Sequence, residues 1–418
     1  MPKYFFSFLL FSTIFLCTLN AQVLTEKSRS GGFARLKAMG ENPFISDPTD
    51  IMINPAWSSI YSNILFGDLG QTIANNFESG GIGQFLTINF NVSKNFTLGA
   101  TLSRKDFQNS LSIASLDPFG LVNETNLALG TSGLVEMDNN WVIMSSYNLS
   151  GHVLGFGLSY ASTSTETKPA SGGGIRADAS QLGLNFGYLG KFSSSIKLDV
   201  SAVLLFPGTT YETPQSSETK FSQSVISIRG RGFYKANTKF TIVPYINILK
   251  TSGSADLGDA SGITTTDLTS VLSAVFGAGV VYKIENFLFA GGPSFGILEE
   301  KTPSVSGVSP ELTKTTNSFP IWNFGAEWAM LDWLIGRLGY RGKTNTVSNE
   351  TTASPTNSNE TITTSFDPGV GGITLGIGFK FSGFSLDATV NEDIIRQGFN
   401  NLGGGGATFA YVSAGYEF

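Results

Sequence analysis

The sequence predicts an all-β fold, a transmembrane antiparallel up-and-down β-barrel of fourteen to sixteen strands. Three observations carry this prediction. The first 21 residues read as a removable export signal. The last segment, Thr408 to Phe418, alternates apolar with small or polar residues and ends in phenylalanine. Between them lie similar alternating segments, joined in pairs by very short turns, as in strands that cross a bilayer with one face on lipid.

Composition agrees. The chain has 418 residues, only 41% of them hydrophobic, with a mean hydropathy of +0.09. Beyond the N-terminus it has no run of the roughly 20 apolar residues that a membrane-spanning helix needs. Charged residues make up only 14%, whereas Gly (49) and Phe (34) are abundant. Thr, Ser, Asn, Gly and aromatics suit strands with one apolar face and one small or polar face.

Residues 1–21 form the signal: Lys3 supplies its positive charge, Phe5 to Leu19 its apolar core, and Leu19-Asn20-Ala21 a cleavage site. The single cysteine, Cys17, lies inside it and follows Leu16, which is too bulky for lipoprotein cleavage. The mature chain then lacks a disulfide, a thiol nucleophile and thiolate metal ligands. Without Lys3, 25 basic and 32 acidic residues remain, a net charge of −7. No basic cluster suggests nucleic acid.

The strands follow in order. Leu86, Ile88, Phe90 and Val92 alternate with Thr87, Asn89 and Asn91, turn at 93–95, and resume as Phe96, Leu98, Ala100 and Leu102. Equivalent hairpins turn at Ser150-Gly151-His152, 191–195, 235–237, 283–286, 330–332 and Ser382-Gly383. The connections 104–139, 162–179, 207–221, 250–270, 297–318, 343–368 and 392–407 are longer and polar, with 343–368 low in complexity. Short turns belong to the periplasmic side and long loops to the outer side. Seven tight turns, a first strand near Ile60–Gly70 and a last at 408–418 give sixteen strands, or fourteen if one hairpin is misread. Trp141, Tyr147, Tyr160, Tyr188, Tyr234, Tyr282, Trp322, Trp328, Tyr340 and Tyr416 sit toward strand ends, where an interfacial girdle meets outer-membrane lipid. Phe418 offers a terminal signal to the barrel assembly machinery.

Residues 22–57 do not alternate. Ala34-Arg35 and Ala38-Met39-Gly40 are followed by an acidic turn with Asp47 and Asp50, and then by Asn54-Pro55-Ala56. This order resembles the FadL family of long-chain fatty-acid transporters and its relatives, including PorV-type proteins of type IX secretion. The match covers about 25 residues. It departs at Glu41-Asn42-Pro43, where relatives carry further glycine and small apolar residues. The resemblance implies that 22–57 is a hatch folded into the lumen of a barrel formed by 58–418. Pro43, Pro48 and Pro55 do forbid a regular helix or ladder there, and Asn54 before Pro55 is driven extended. The alternative is a plain periplasmic lead-in.

Catalytic chemistry is sparse, and no enzyme or cofactor is expected. The only histidine, His152, falls in a tight turn, which removes Ser-His-Asp catalysis. No spacing suggests zinc or calcium. The glycine runs 172–174 and 403–406 lack a following helix and read as loop glycine. Arg229, Arg231, Glu327, Lys380 and Asp387 fall on the lumen-facing parity. They read as an internal ion-pair network or as a selectivity ring. Pro244 and Gly291-Gly292-Pro293 interrupt apolar strands. They read as bulges or as the kinks that open a lateral exit in the resembled transporters.

Three functions stay open: a hatch-gated passive channel for fatty-acid-like hydrophobic molecules, a PorV-like partner in secretion, or a structural barrel without a specific ligand. Location is the outer membrane in each case. Oligomeric state and ligand identity are not legible.

Overall fold

A computed structural model describes residues 31–68, 85–103, 111–129, 137, 140–168, 174–213, 216–259, 262–304, 310–354, 357–366, 372–390 and 409–418. The signal with Cys17 and the glycines 403–406 lie outside these residues.

The strands are β1 (Ile64–Asp68), β2 (Phe85–Asn91), β3 (Phe96–Ser103), β4 (Asn140–Leu149), β5 (His152–Thr167), β6 (Ile175–Lys191), β7 (Ile196–Thr213), β8 (Ser216–Lys235), β9 (Phe240–Asp259), β10 (Gly262–Asp267), β11 (Ser270–Ile284), β12 (Phe287–Thr302), β13 (Glu311–Leu331), β14 (Leu334–Ser354), β15 (Asn357–Phe366), β16 (Gly372–Phe381), β17 (Phe384–Val390) and β18 (Phe409–Glu417). Pairing is antiparallel along the wall, and β1 pairs with both β2 and β18, which closes the sheet. β10 and β11 share β9 as partner, and β15 and β16 share β14, so each couple is one interrupted wall strand. The closed barrel therefore has sixteen strands, the higher of the two expected counts. Closure satisfies the backbone polar groups that lipid cannot solvate.

The seven tight turns fall where the alternation breaks, at 92–95, 150–151, 192–195, 236–239, 285–286, 332–333 and 382–383. Ser150 and Gly151 both take positive φ, 53° and 95°, as a two-residue hairpin matched to strand twist requires. Parity is clear in β2, where Leu86 is 51% exposed while its neighbour Thr87 is fully buried; it lapses at Ala290–Gly292 of β12 and Asp387–Thr389 of β17, where three successive residues are buried. The outward belt of Leu, Ile, Phe, Trp and Tyr is the lipid face.

The long connections are shorter than the sequence suggests, because strands run through them. β8 and β9 have 20 residues each, and β13 and β14 have 21. About 9–11 residues suffice to cross a bilayer. Much of 343–368, read as low-complexity loop, is a β14–β15 hairpin paired from Thr344↔Phe366 to Ser354↔Asn357. Thr and Ser favour strands, and outside the lipid both faces are polar, so apolar alternation disappears while pairing continues.

Inside the barrel lies the N-terminal segment, with helix α1 (Phe33–Ala38), the single turn α2 (Asp50–Ile53) and a 3-10 turn at Pro55–Ser59. Its Phe33, Ile51, Met52, Trp57 and Tyr61 form one buried cluster with Val142, Met144 and Val153 of the wall. Ile113 and Ala114 join this cluster from the connection between β3 and β4, which therefore folds inward. It carries helix α3 (Leu121–Leu129), whose first turn is capped by Asp117, accepting from Leu121 N at 2.6 Å and Val122 N at 3.0 Å. Its Ser115 carbonyl accepts from Gln181 Nε2 at 2.7 Å. The start of α1 is stapled to the seam where the barrel closes. Phe33 N donates to Asp68 of β1 at 2.8 Å, Ala34 N donates to Ser413 of β18 at 3.0 Å, and Asp68 pairs with Ser413 across the seam.

Candidate functional site

The inner segment is fastened to the wall by a chain of charges that crosses the lumen. Arg35, buried at 2% exposure, bridges Asp47 (3.1 Å) and Glu327 of β13 (2.9 Å). Glu327 also receives Arg337 of β14 at 2.7 Å, and Arg337 binds Asp387 of β17. Asp47 N donates to Asp50 at 3.0 Å. Asp50 in turn meets Arg231 of β8 at 2.9 Å and Arg229 at 3.5 Å. Arg231 also binds Asp199 of β7, which accepts from Asn54 Nδ2 at 2.6 Å. The chain thus runs from β17 through the inner segment to β7. Burial works against the charge of Arg35, but Glu327 and Asp47 outweigh it and hold its proton more firmly than usual.

The Asn54-Pro55-Ala56 motif acts locally. Asn54 caps the 3-10 turn by accepting from Ala56 N at 2.9 Å and donates to the Tyr188 and Val200 carbonyls, both at 3.1 Å. Its side chain lies over Gly187, where a Cβ would sit 1.9 Å from Asn54 Oδ1. Met39 and Gly40 pack against β13 and β14, with Asn323 Nδ2 donating to the Gly40 carbonyl at 2.8 Å. Glu41 and Asn42 are also fastened. Glu41 pairs with Lys37 and with Arg341, and Asn42 Nδ2 donates to the Ala290 carbonyl at 2.8 Å. Burial pushes the Glu41 carboxyl up, but Lys37 and Arg341 outweigh it and hold it below the usual carboxylate range.

Two cavities flank the stretch Asn42–Ser46. One, of about 280 Å³, is lined by Asn42, Pro43, Arg229, Tyr245, Asn323 and Arg341 among others. The other, of about 570 Å³, opens among the tight turns and is lined by Phe44, Ser46, Trp57, Phe233, Leu288 and several lysines. Ile45, 4% exposed, lines both and is part of the partition between them. Phe44 is fully buried and lies flat on β11 at Gly279, where a Cβ would come within 2.3 Å of the ring.

The strand interruptions converge on the same place. Between β8 and β9 pairing runs from Arg231↔Tyr245 to Tyr234↔Ile242 and skips Pro244. Between β11 and β12 it runs from Gly277↔Ser294 to Val280↔Gly291 and skips Gly292 and Pro293. Pro244 faces Ala278 across β9 and β11, so both gaps border Ala278-Gly279. Neither gap shifts the register; the nearest register shift lies between Ser294 and Gly296 in the β12–β13 pair.

Arg229, Arg231, Glu327, Lys380 and Asp387, expected on the lumen-facing parity, all line the inner cavities or join the charge chain inside the barrel. Lys380 pairs with Ser385 across the turn and lines the larger cavity, and Asp387 bonds Arg337 rather than Lys380. Asp199, Arg337 and Arg341 were missed. Parity and register held the signal: Arg231 lies directly opposite Asp199, and Glu327 directly opposite Arg337. His152 sits beside the 150–151 turn with Nδ1 2.7 Å from the Tyr188 hydroxyl.

No protein-family model matches the sequence, and no curated protein matches it. Solved structures do align with the chain. The Pseudomonas putida toluene transporter TodX is 12% identical, with 96% of this chain and 100% of that chain covered and a TM-score of 0.37. The FrpB iron transporter of Neisseria meningitidis is 9% identical, covering 80% and 63%, with a TM-score of 0.40. The ferric citrate transporter FecA is 12% identical, covering 78% and 65%, with a TM-score of 0.35. This chain spans less than two thirds of the length of FrpB and FecA.

Proposed function

We propose that this chain is an outer-membrane channel for passive uptake of hydrophobic, fatty-acid-like small molecules, gated by its inner segment. The observation that carries this is the pair of cavities partitioned at Ile45. Apolar side chains line both: Leu36, Ile53 and Val203 on one side, Trp57, Phe233 and Leu288 on the other. A pocket lined in this way, with a few placed polar groups, suits an apolar ligand. The skipped pairs at Pro244 and at Gly292-Pro293 weaken the wall next to Phe44, which supports a sideways exit into lipid.

The test is a reversible lock. Ile45 and Val281 belong to one apolar cluster. In a chain lacking Cys17, the pair Ile45→Cys and Val281→Cys should, once oxidised, stop uptake of a fluorescent fatty acid, and reductant should restore it. Equal uptake by the locked and reduced forms would overturn the gate. A PorV-like secretion partner is the second reading, and only the tall outer walls of β8, β9, β13 and β14 favour it. Co-purification of other polypeptides with an empty barrel would favour that role.

A further inference from the structure

Wall asparagines hold the inner segment by its carbonyls. Asn89 Nδ2 donates to Ser58 O at 2.7 Å and Tyr61 O at 2.6 Å. Asn185 Nδ2 donates to Met52 O at 3.2 Å and Ile53 O at 3.0 Å. Asn323 Nδ2 donates to Gly40 O at 2.8 Å and Glu41 O at 3.3 Å. Each of these amides thus meets two carbonyl oxygens. Asn247 of β9 is built differently. Its Oδ1 accepts from Ser227 Oγ at 3.4 Å, and among the described residues nothing accepts from its Nδ2. It lines the smaller cavity instead.

Asn247 stands directly opposite Arg229 of β8, and Val275 of β11 is its partner on the other side. Residues paired in this way have Cβ atoms about 4.5–5.5 Å apart, so one small group can touch both Asn247 and Arg229. Arg229 Nε is buried without a hydrogen-bond partner, and Arg229 lines the same cavity. So does Ser294, 4% exposed, whose hydroxyl is also unpartnered. A guanidinium N–H and an amide NH2 only donate, so the Arg229–Asn247 pair calls for an acceptor oxygen.

Charge at this place is already matched. Asp50 meets Arg231 at 2.9 Å and Arg229 at 3.5 Å, and Arg231 also binds Asp199, so two guanidiniums face two carboxylates. A further carboxylate would leave three anions against two cations and would lose its hydration on entry. A neutral oxygen meets the same donors without that penalty. Ile45, Ile53, Leu111, Val203 and Val275 give the cavity its apolar side. At about 280 Å³ it has room for a molecule of roughly ten heavy atoms.

We propose that the smaller cavity binds small neutral amphiphiles, such as ketones, esters or alcohols, with the oxygen held by Asn247 and Arg229 and the apolar body against Val203 and Val275. This deepens the channel reading by naming the class of molecule that the compartment takes. It rests on that reading for passage and not for binding.

Ligand-detected NMR titration of the full chain in neutral detergent at neutral pH tests it, with 2-octanone as the neutral acceptor, octane as the bare chain and octanoate as the anion. The ketone should bind at least about tenfold more tightly than either of the others. Val275→Trp fills the cavity and should abolish that binding, which separates it from uptake into micelles. Asn247→Leu removes the amide donors, and Arg229→Lys keeps the charge but removes Nε. Each should weaken ketone binding by about fivefold to tenfold and leave octane unchanged. The heat-dependent gel shift of an intact barrel checks that the three variants fold. Equal binding of octane would leave the donors without a role, and equal or tighter binding of octanoate would assign the site to an anionic head. Ketone binding undiminished in Val275→Trp would place the ketone in the micelle. Each of these results would overturn the site. The uptake lock reads passage and the titration reads occupancy, so either result stands when the other fails.

Discussion

At the scale of single residues, buried charge decides how the inner segment is held. Arg35 serves two carboxylates, Asp47 and Glu327, in a place that water hardly reaches. Removing one partner of a buried pair leaves the others unpaired, which typically costs about 3–5 kcal/mol. Arg35→Met is therefore expected to loosen the segment while the barrel persists. Proteinase K should then cut between residues 31 and 60 in the folded variant and spare the wild type. Glu41 gives the pH dependence. Its carboxyl is held below the ordinary value of 4.5 by Lys37 and Arg341, acting against burial. Its contribution is fully present above that ordinary value and fades as pH falls through the lowered one. Protease access to the segment should rise below pH 4.5, and Glu41→Gln should flatten that part of the profile.

At the scale of elements, the contact between the inner segment and β11 depends on a missing side chain. Phe44 occupies the space over Gly279, so Gly279→Ala must displace the ring or the strand, at roughly 1–3 kcal/mol. Single-channel recording should show higher basal conductance for Gly279→Ala than for the wild type. Such features mark what the sequence does and does not carry. Alternation and turn residues locate the seven tight turns to within a few residues and bound the strand count at fourteen to sixteen, of which the structure has sixteen, because lipid favours one apolar face along the wall. The tall outer hairpins escape that reading, since Thr344 to Phe366 has water on its outward face and no apolar stripe. The inward fold of 111–129 also escapes it, because Ile113 and Leu121 are buried by distant partners rather than by local pattern. For the site, Arg229, Arg231 and Glu327 were legible from parity alone. Asp199 and Arg337 needed the register that sets them opposite Arg231 and Glu327.

At the scale of the whole molecule, the apolar surface lies outside and a charge-strapped segment inside, the inverse of a water-soluble domain. The purified chain should need detergent and give a β-type circular dichroism spectrum; a helical or detergent-independent protein would contradict the fold. The seam adds a temporal order. Phe33 and Ala34 hang on Asp68 and Ser413, which become neighbours only when the final strand meets the opening one. Phe33 and Ala34 must accordingly wait for Ser413, which follows Ala34 by 379 residues, before they can seat. A chain truncated before Phe409 should keep a dangling, protease-sensitive leader. Seating of the leader is thus coupled to sealing of the cylinder, because its anchor is complete only once the two terminal strands have joined.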